Sequence, residues 1–209
     1  TAHLIPHPTE TYTIGSGKGD YEKAHIPGAD FLDLQQELSN NTSKLRFTFP
    51  SAEHFSKAIG AHGLSNDNQA ILYSTTSPQW ATRIWWMLRA FGFDNAKVLD
   101  GGLIRWVQKG YPTSTIPSTY PEQSFTAKPR PGLIIQKSEV LEGIHESNTC
   151  IINALSQEQH IGVGGRTYGR PGRIKDSENV PTTELIDPET NEFYPAAVIA
   201  ERFASVGTQ

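Results

Sequence analysis

Few residues in this chain are of types that could do covalent chemistry. There is one cysteine, Cys150, among 209 residues, so no intramolecular disulfide forms. Cys150 opens the apolar run Cys150-Ile151-Ile152-Asn153-Ala154-Leu155, which reads as a buried strand with an inert thiol inside it. A better place for a nucleophile is the polar loop Ser74-Thr75-Thr76-Ser77-Pro78-Gln79, which comes after the apolar run Ala70–Tyr73 and precedes a helical pattern. Free backbone N–H groups converge where a strand end meets a helix N-terminus, and anions and nucleophiles are held there. That loop holds Ser74 and no cysteine. Ser74 as a hydrolase nucleophile would need a base, with His54 and His62 nearest in sequence, but G-x-S-x-G is absent and a Ser in such a loop is expected to cap.

The elements around Ser74 form a complete unit. From Trp80, the residues Ala81, Ile84, Trp85, Leu88 and Phe91 recur at helical spacing until Gly92. Lys97–Leu99 reads as a second strand, and Asp100-Gly101-Gly102 turns into a helix bearing Leu103, Trp106 and Val107. Upstream, Ser51 is the expected N-cap of a helix with Phe55, Ala58 and Ile59 on its apolar face and Gly63 at its end. Alternating strands and helices predict an α/β fold, a parallel sheet flanked by helices.

Elsewhere the pattern is less regular. The first fifteen residues or so read as loop, and His3 and His7 lack the partners a metal site needs. His25, beside Pro27-Gly28, is expected to be a structural hydrogen-bonding group, with Ala29–Leu32 a short strand or bend. Pro112–Pro131 is rich in Pro, Ser and Thr and reads as a linker or crossing segment. After it come a short strand at Leu133–Ile135, a helix over Lys137–Glu146, the Cys150 strand, a Gly/Arg-rich loop over Gly162–Arg173, and a last helix over Pro195–Val206.

The two ends of the chain match. Phe49, Phe55, Ile59 and Gly63 recur at one constant offset as Phe193, Ile199, Phe203 and Gly207, the mark of a tandem duplication. In the first copy the strand–loop–helix unit Ala70–Tyr111 comes next; in the second the sequence ends two residues after Gly207. The expectation is a first domain over 1–115, a linker over 116–131, and over 132–209 the N-terminal part of a second, incomplete domain, completed by further chain or by a partner.

Composition excludes several classes. A net charge of −4 with no basic block gives no expectation of nucleic acid binding. No apolar run nears the roughly 20 residues that span a membrane, and the start lacks the features of a signal peptide. No Walker or G-x-G-x-x-G pattern comes after a strand, so no nucleotide, flavin or metal cofactor is expected.

Ala24-His25-Ile26-Pro27-Gly28-Ala29, Ile71-Leu72-Tyr73, Arg83–Leu88, Leu99-Asp100-Gly101-Gly102-Leu103 and Gly110-Tyr111-Pro112 together resemble the tandem-domain rhodanese family of thiosulfate and 3-mercaptopyruvate sulfurtransferases. Tyr168–Ile174, Asn179-Val180-Pro181 and Leu185–Thr190 resemble the family's entry into its second copy. The resemblance implies two rhodanese-like copies and a cysteine persulfide that passes sulfur from a small anionic donor to cyanide or a thiol. It places that cysteine in the second copy, beyond Gln209, and puts Ser74 at the degenerate cysteine position of the first. It implies that Arg166 and Arg170 bind the donor and that Arg83 is structural. Arg173, Lys175-Asp176, Asn153 and Leu155 depart from the family pattern. The resemblance thus implies a cytoplasmic sulfurtransferase without cofactor, of undefined oligomeric state and inactive as residues 1–209. The alternative is a non-catalytic rhodanese-like binding or regulatory module.

Overall fold

A computed structural model describes residues 2–5, 12–165 and 169–207. Two compact units make up the described chain, residues 2–5 with 12–133, and residues 134–207.

The first unit begins where sequence patterning predicts loop. Strands β1 (Ala2–Ile5) and β2 (Thr13–Ser16) pair antiparallel, with Ala2 opposite Ser16 and Ile5 opposite Thr13. Four-residue strands carry too little alternation to stand out from loop. Helix α1 (Lys18–Lys23) comes next, and His3 Nε2 lies 2.7 Å from Asp20 Oδ2 on it; His7 lies outside the described residues.

Helix α2 (Ala52–Ala61) starts as expected, with Ser51 Oγ accepting from His54 N–H at 3.1 Å, and buries Phe55 and Ile59. Strand β3 (Ala70–Leu72) pairs parallel with β4 (Ala96–Val98) through Ala70↔Ala96, Ile71↔Lys97 and Leu72↔Val98. Between them α3 (Gln79–Ala90) turns Ala81, Ile84, Met87 and Leu88 inward, the i, i+3 and i+4 spacing of one helical face. Helix α4 (Gly102–Gln108) closes the unit's helical part. The core gathers Leu34, Leu38, Phe55, Ile59, Met87, Leu88, Phe91, Phe93 and Phe125.

Phe125 belongs to the stretch predicted as a linker. Residues 112–131 lie along the first unit: Ser114 and His25 exchange backbone hydrogen bonds, Gln123 N–H donates to Gly60 O, and Lys128 N–H donates to Phe91 O. Gly92, at φ +86°, passes so close that a Cβ there would stand 2.8 Å from Lys128 O. Only glycine serves both that conformation and that approach. Leu133–Ile135 forms no strand, and Ile134 and Ile135 are exposed. Ala29–Leu32 runs outside any named strand or helix.

The second unit is sparser. Helix α5 (Lys137–Gly143) starts with a capping box between Gln136 and Glu139 but buries no residue. Strand β5 (Ile152–Asn153) pairs parallel with β6 (Glu178–Asn179), α6 (Gln157–Ile161) lies between them, and α7 (Ala196–Ala204) comes last. The α/β reading holds in both units, each with a small parallel pair. The reading of Cys150 does not: β5 begins at Ile152, and Cys150 precedes it, exposed. A two-residue strand paired to one neighbour provides no interior to bury it.

Candidate functional site

Ser74 sits where the sequence places it, on the loop leaving β3, and is buried to 3% exposure. Its hydroxyl donates to Ser77 O at 2.6 Å, and its carbonyl accepts from Leu103 N–H at 3.1 Å. The hydroxyl thus closes its own loop, and its carbonyl fastens that loop to α4. Neither candidate base is hydrogen-bonded to it. His54 Nε2 lies 2.8 Å from Glu37 O, and the His62 ring is held by Asp30 Oδ2 at 2.6 Å and Glu37 Oε1 at 2.8 Å. No nucleophile–base pair is assembled here.

The attachment of the loop to α4 depends on Gly102. At φ +54°, a Cβ on Gly102 would stand 2.6 Å from Ser74 O. Gly102→Ala is expected to destabilise the first unit by about 2–3 kcal/mol, about 1 kcal/mol for the left-handed backbone and the rest for overpacking. Urea unfolding checks it: the midpoint falls with the slope unchanged, and a change within about 0.5 kcal/mol contradicts the tight approach.

The supporting residues are placed by burial. Arg83 reaches Phe47 O through Nη2 at 2.9 Å and lies over the Phe49 ring, 5.5 Å from its centroid. Burial pushes its pKa down, and its Nε is buried without a partner. It pins α3 to the Phe47–Phe49 loop. His25 is fully buried, with ring nitrogens 2.7 Å from Tyr21 O and 2.9 Å from Ile116 O and its ring stacked on Tyr21. It is the structural group the sequence predicts.

Sequence reasoning missed the bridge of His62, Asp30 and Glu37, since the three lie on separate stretches and share no spacing. The hydrogen bond to Glu37 is the largest cause raising the His62 pKa; against the cost of burial, and with Asp30 adding to it, the value reaches about 9. Burial works against the Glu37 carboxylate, but its bond to His62 leaves its pKa below the ordinary value. The bridge therefore stabilises the fold fully between about pH 4.5 and pH 6.5. It is lost as pH rises from 6.5 through about 9, and again as acid protonates Glu37. We expect unfolding free energy to fall by about 2 kcal/mol from pH 6.5 to 9.5 relative to His62→Gln, a value discounted for partial exposure. Parallel pH profiles for the two proteins would show that the bridge contributes nothing.

In the second unit, Arg170 lines a cavity of about 640 Å³ together with Arg173, Lys175, Asn153 and Leu155, and none of the described residues that line it is acidic. Arg166 lies outside the described residues. Asn153 is committed to the backbone, its Oδ1 accepting from Leu155 N–H at 2.9 Å. His160 is buried, with Nδ1 unpartnered, and burial followed by the charge of Arg173 lowers its pKa. This cavity suits an anion, whereas the Ser74 loop presents a spent hydroxyl. Among the described residues no cluster of His, Cys, Asp and Glu fits a metal ion, and no helix is long and apolar enough to cross a membrane.

Known proteins resemble this chain in both sequence and fold. The family described as Rhodanese-like domain matches residues 16–109. The thiosulfate sulfurtransferase of Rattus norvegicus is 30% identical over 185 residues, 84% of this chain and 61% of that protein. The 3-mercaptopyruvate sulfurtransferase of the same organism is 32% identical over 183 residues, 86% of this chain and 61% of that protein. This chain thus spans under two thirds of the length of these relatives. Among solved structures, SseA from Escherichia coli, described as a 3-mercaptopyruvate sulfotransferase with the rhodanese fold, superposes with a TM-score of 0.81 at 30% identity. The match covers 93% of this chain and 72% of SseA.

Proposed function

We propose, because the chain belongs to the rhodanese family, that it forms part of a two-copy cytoplasmic sulfurtransferase whose reactive cysteine lies outside residues 1–209. The first copy is the silent one and the second binds the donor. The observation that carries this reading is the state of the Ser74 loop. It has the strand–loop–helix form suited to a thiolate, yet the Ser74 hydroxyl at the cysteine position donates to Ser77 O and neither His54 nor His62 is bonded to it. Chemistry of this kind needs a thiolate held by loop N–H groups and a helix N-terminus, which lower its pKa and sharpen it as a nucleophile.

In that reading the donor is thiosulfate or 3-mercaptopyruvate. Its outer sulfur passes to the cysteine as a persulfide, sulfite or pyruvate departs, and cyanide or a thiol takes the sulfur. Arg166 and Arg170 hold the anionic donor, aided by the basic lining around Arg170, since a guanidinium fork suits a carboxylate or sulfonate-like group. No cofactor takes part. The uncovered apolar faces of the second unit are completed by a further strand–loop–helix unit like Ala70–Tyr111.

Residues 1–209 alone are expected to form no thiocyanate from thiosulfate and cyanide and no pyruvate from 3-mercaptopyruvate. Turnover that survives Cys150→Ser would remove the cysteine-persulfide reading, and turnover abolished by it would move the nucleophile to Cys150. A non-catalytic binding module is favoured by the departures at Asn153 and Arg173. It predicts inactivity even when the remaining length of the protein is present.

A further inference from the structure

Strand β3 is paired on one side only, with β4. In a parallel pair, alternate residues turn both backbone groups towards the neighbouring strand. Ala70 N–H donates to Asn95 O at 3.0 Å and Leu72 O accepts from Leu99 N–H at 2.8 Å. Ala70 and Leu72 therefore face β4, and Ile71 and Tyr73 face away from it. Among the described residues, the backbone N–H and C=O of Ile71 and of Tyr73 have no hydrogen-bond partner.

A cavity of about 330 Å³ lies along β3, residues 28–32 and the inner face of α3. Ile71 and Tyr73 line it, as does Leu32, whose N–H and C=O are likewise without a partner among the described residues. Phe31, Trp80, Ile84 and Leu88 make much of its wall aromatic and apolar. Unpaired backbone groups beside apolar walls are costly, and a bare strand edge is a template for another strand. An extended peptide is the occupant that offers donors and acceptors in step with such an edge.

The backbone leading into Ala2 enters beside this cavity. Ala2 is buried and pairs with Ser16, Ser16 Oγ donates to Asp33 Oδ2 at 2.6 Å, next to Leu32, and Gly17 lines the cavity. The two rat sulfurtransferases are long enough to supply such a segment, since the match covers 61% of each. We propose that the cavity is a strand slot, filled by about five residues that precede residue 1 in the full-length protein and pair with Ile71 and Tyr73. Strand β3 then lies inside a sheet, and the Ser74 loop leaves a strand held on both edges. The slot does not depend on sulfur transfer, because the unpaired edge alone defines it.

The test is amide hydrogen exchange read by NMR on three proteins: the full-length protein, the same protein begun at residue 1, and residues 1–209. Leu72, paired with β4, is the internal reference. In the full-length protein Ile71 and Tyr73 are expected to exchange as slowly as Leu72. In the two shortened proteins they are expected to exchange at least about a hundredfold faster than Leu72. Where removing the preceding residues also exposes Leu72, single prolines placed through those residues of the full-length protein decide the matter. Proline removes a ladder donor, and at alternate positions it is expected to free Ile71 and Tyr73 while Leu72 stays protected. Fast exchange of Ile71 and Tyr73 in the full-length protein, or slow exchange in either shortened one, would overturn the proposal. So would protection that rises with protein concentration, the mark of a second copy in the slot, or prolines without effect.

Discussion

Phe55→Ala is expected to destabilise the first unit by about 4 kcal/mol, a large share of the roughly 5–15 kcal/mol that holds a typical domain together. Phe55 is fully buried on the inner face of α2. Its ring stacks on Phe91 with centroids 4.3 Å apart and meets Phe125 edge-on at 6.0 Å. It therefore joins three segments distant in sequence: α2, the end of α3, and the crossing stretch that carries Phe125. Truncation loses the transfer free energy of the ring and leaves a cavity that rigid neighbours fill only in part. Phe55→Leu retains most of the volume and is expected to cost under half as much. Chemical denaturation of both variants checks this; a loss below about 1 kcal/mol for alanine would show that the aromatic cluster does not hold the unit together.

The second large effect concerns the difference between the two units. In residues 1–209, backbone amides of α7 and α5 are expected to exchange with solvent at least about a thousandfold faster than those of α3. Helix α3 buries five residues, Ala81, Ile84, Met87, Leu88 and Ala90, whereas α5 and α7 bury none. Among the described residues of the second unit, Val180 is the one buried hydrophobic, while Ile135, Leu141, Ile161, Val163 and Ile174 are exposed. Short helices without tertiary burial are marginal in water. Hydrogen exchange read by mass spectrometry separates the outcomes, and protection of α7 equal to that of α3 would contradict this difference between the units. A domain-sized partner segment covering these faces is expected to restore protection.

Much of the first unit could be read from residue order. The inward face of α3, the Ser51 cap and the strand–loop–helix unit around Ser74 are all set by local spacing, because each is decided within a few residues. The misses share a different cause. Strands β1 and β2 are too short to show their period, and Leu133–Ile135 and Cys150 carry strand-like residues in places that no neighbouring strand covers. The stretch around Phe125 lacks any period yet packs one side chain into the core, a decision made by α2 and α3 and not by its own pattern. The same holds at the candidate site. Ser74 could be located from sequence, but the capture of its hydroxyl by Ser77, the His62 bridge and the aromatic cavity depend on contacts between distant residues. Arg166 stays an expectation from family resemblance.

The claim that the reactive cysteine lies outside residues 1–209 is tested most directly by intact-mass measurement. Residues 1–209 are incubated with thiosulfate or 3-mercaptopyruvate, freed of donor, and weighed before and after cyanide. That claim predicts an unchanged mass throughout, because Ser74 cannot hold a persulfide and Cys150 lies exposed ahead of β5, away from any strand–loop–helix turn that would activate it. A gain of one sulfur atom that cyanide removes, mapped to Cys150 by its loss in Cys150→Ser, would contradict it.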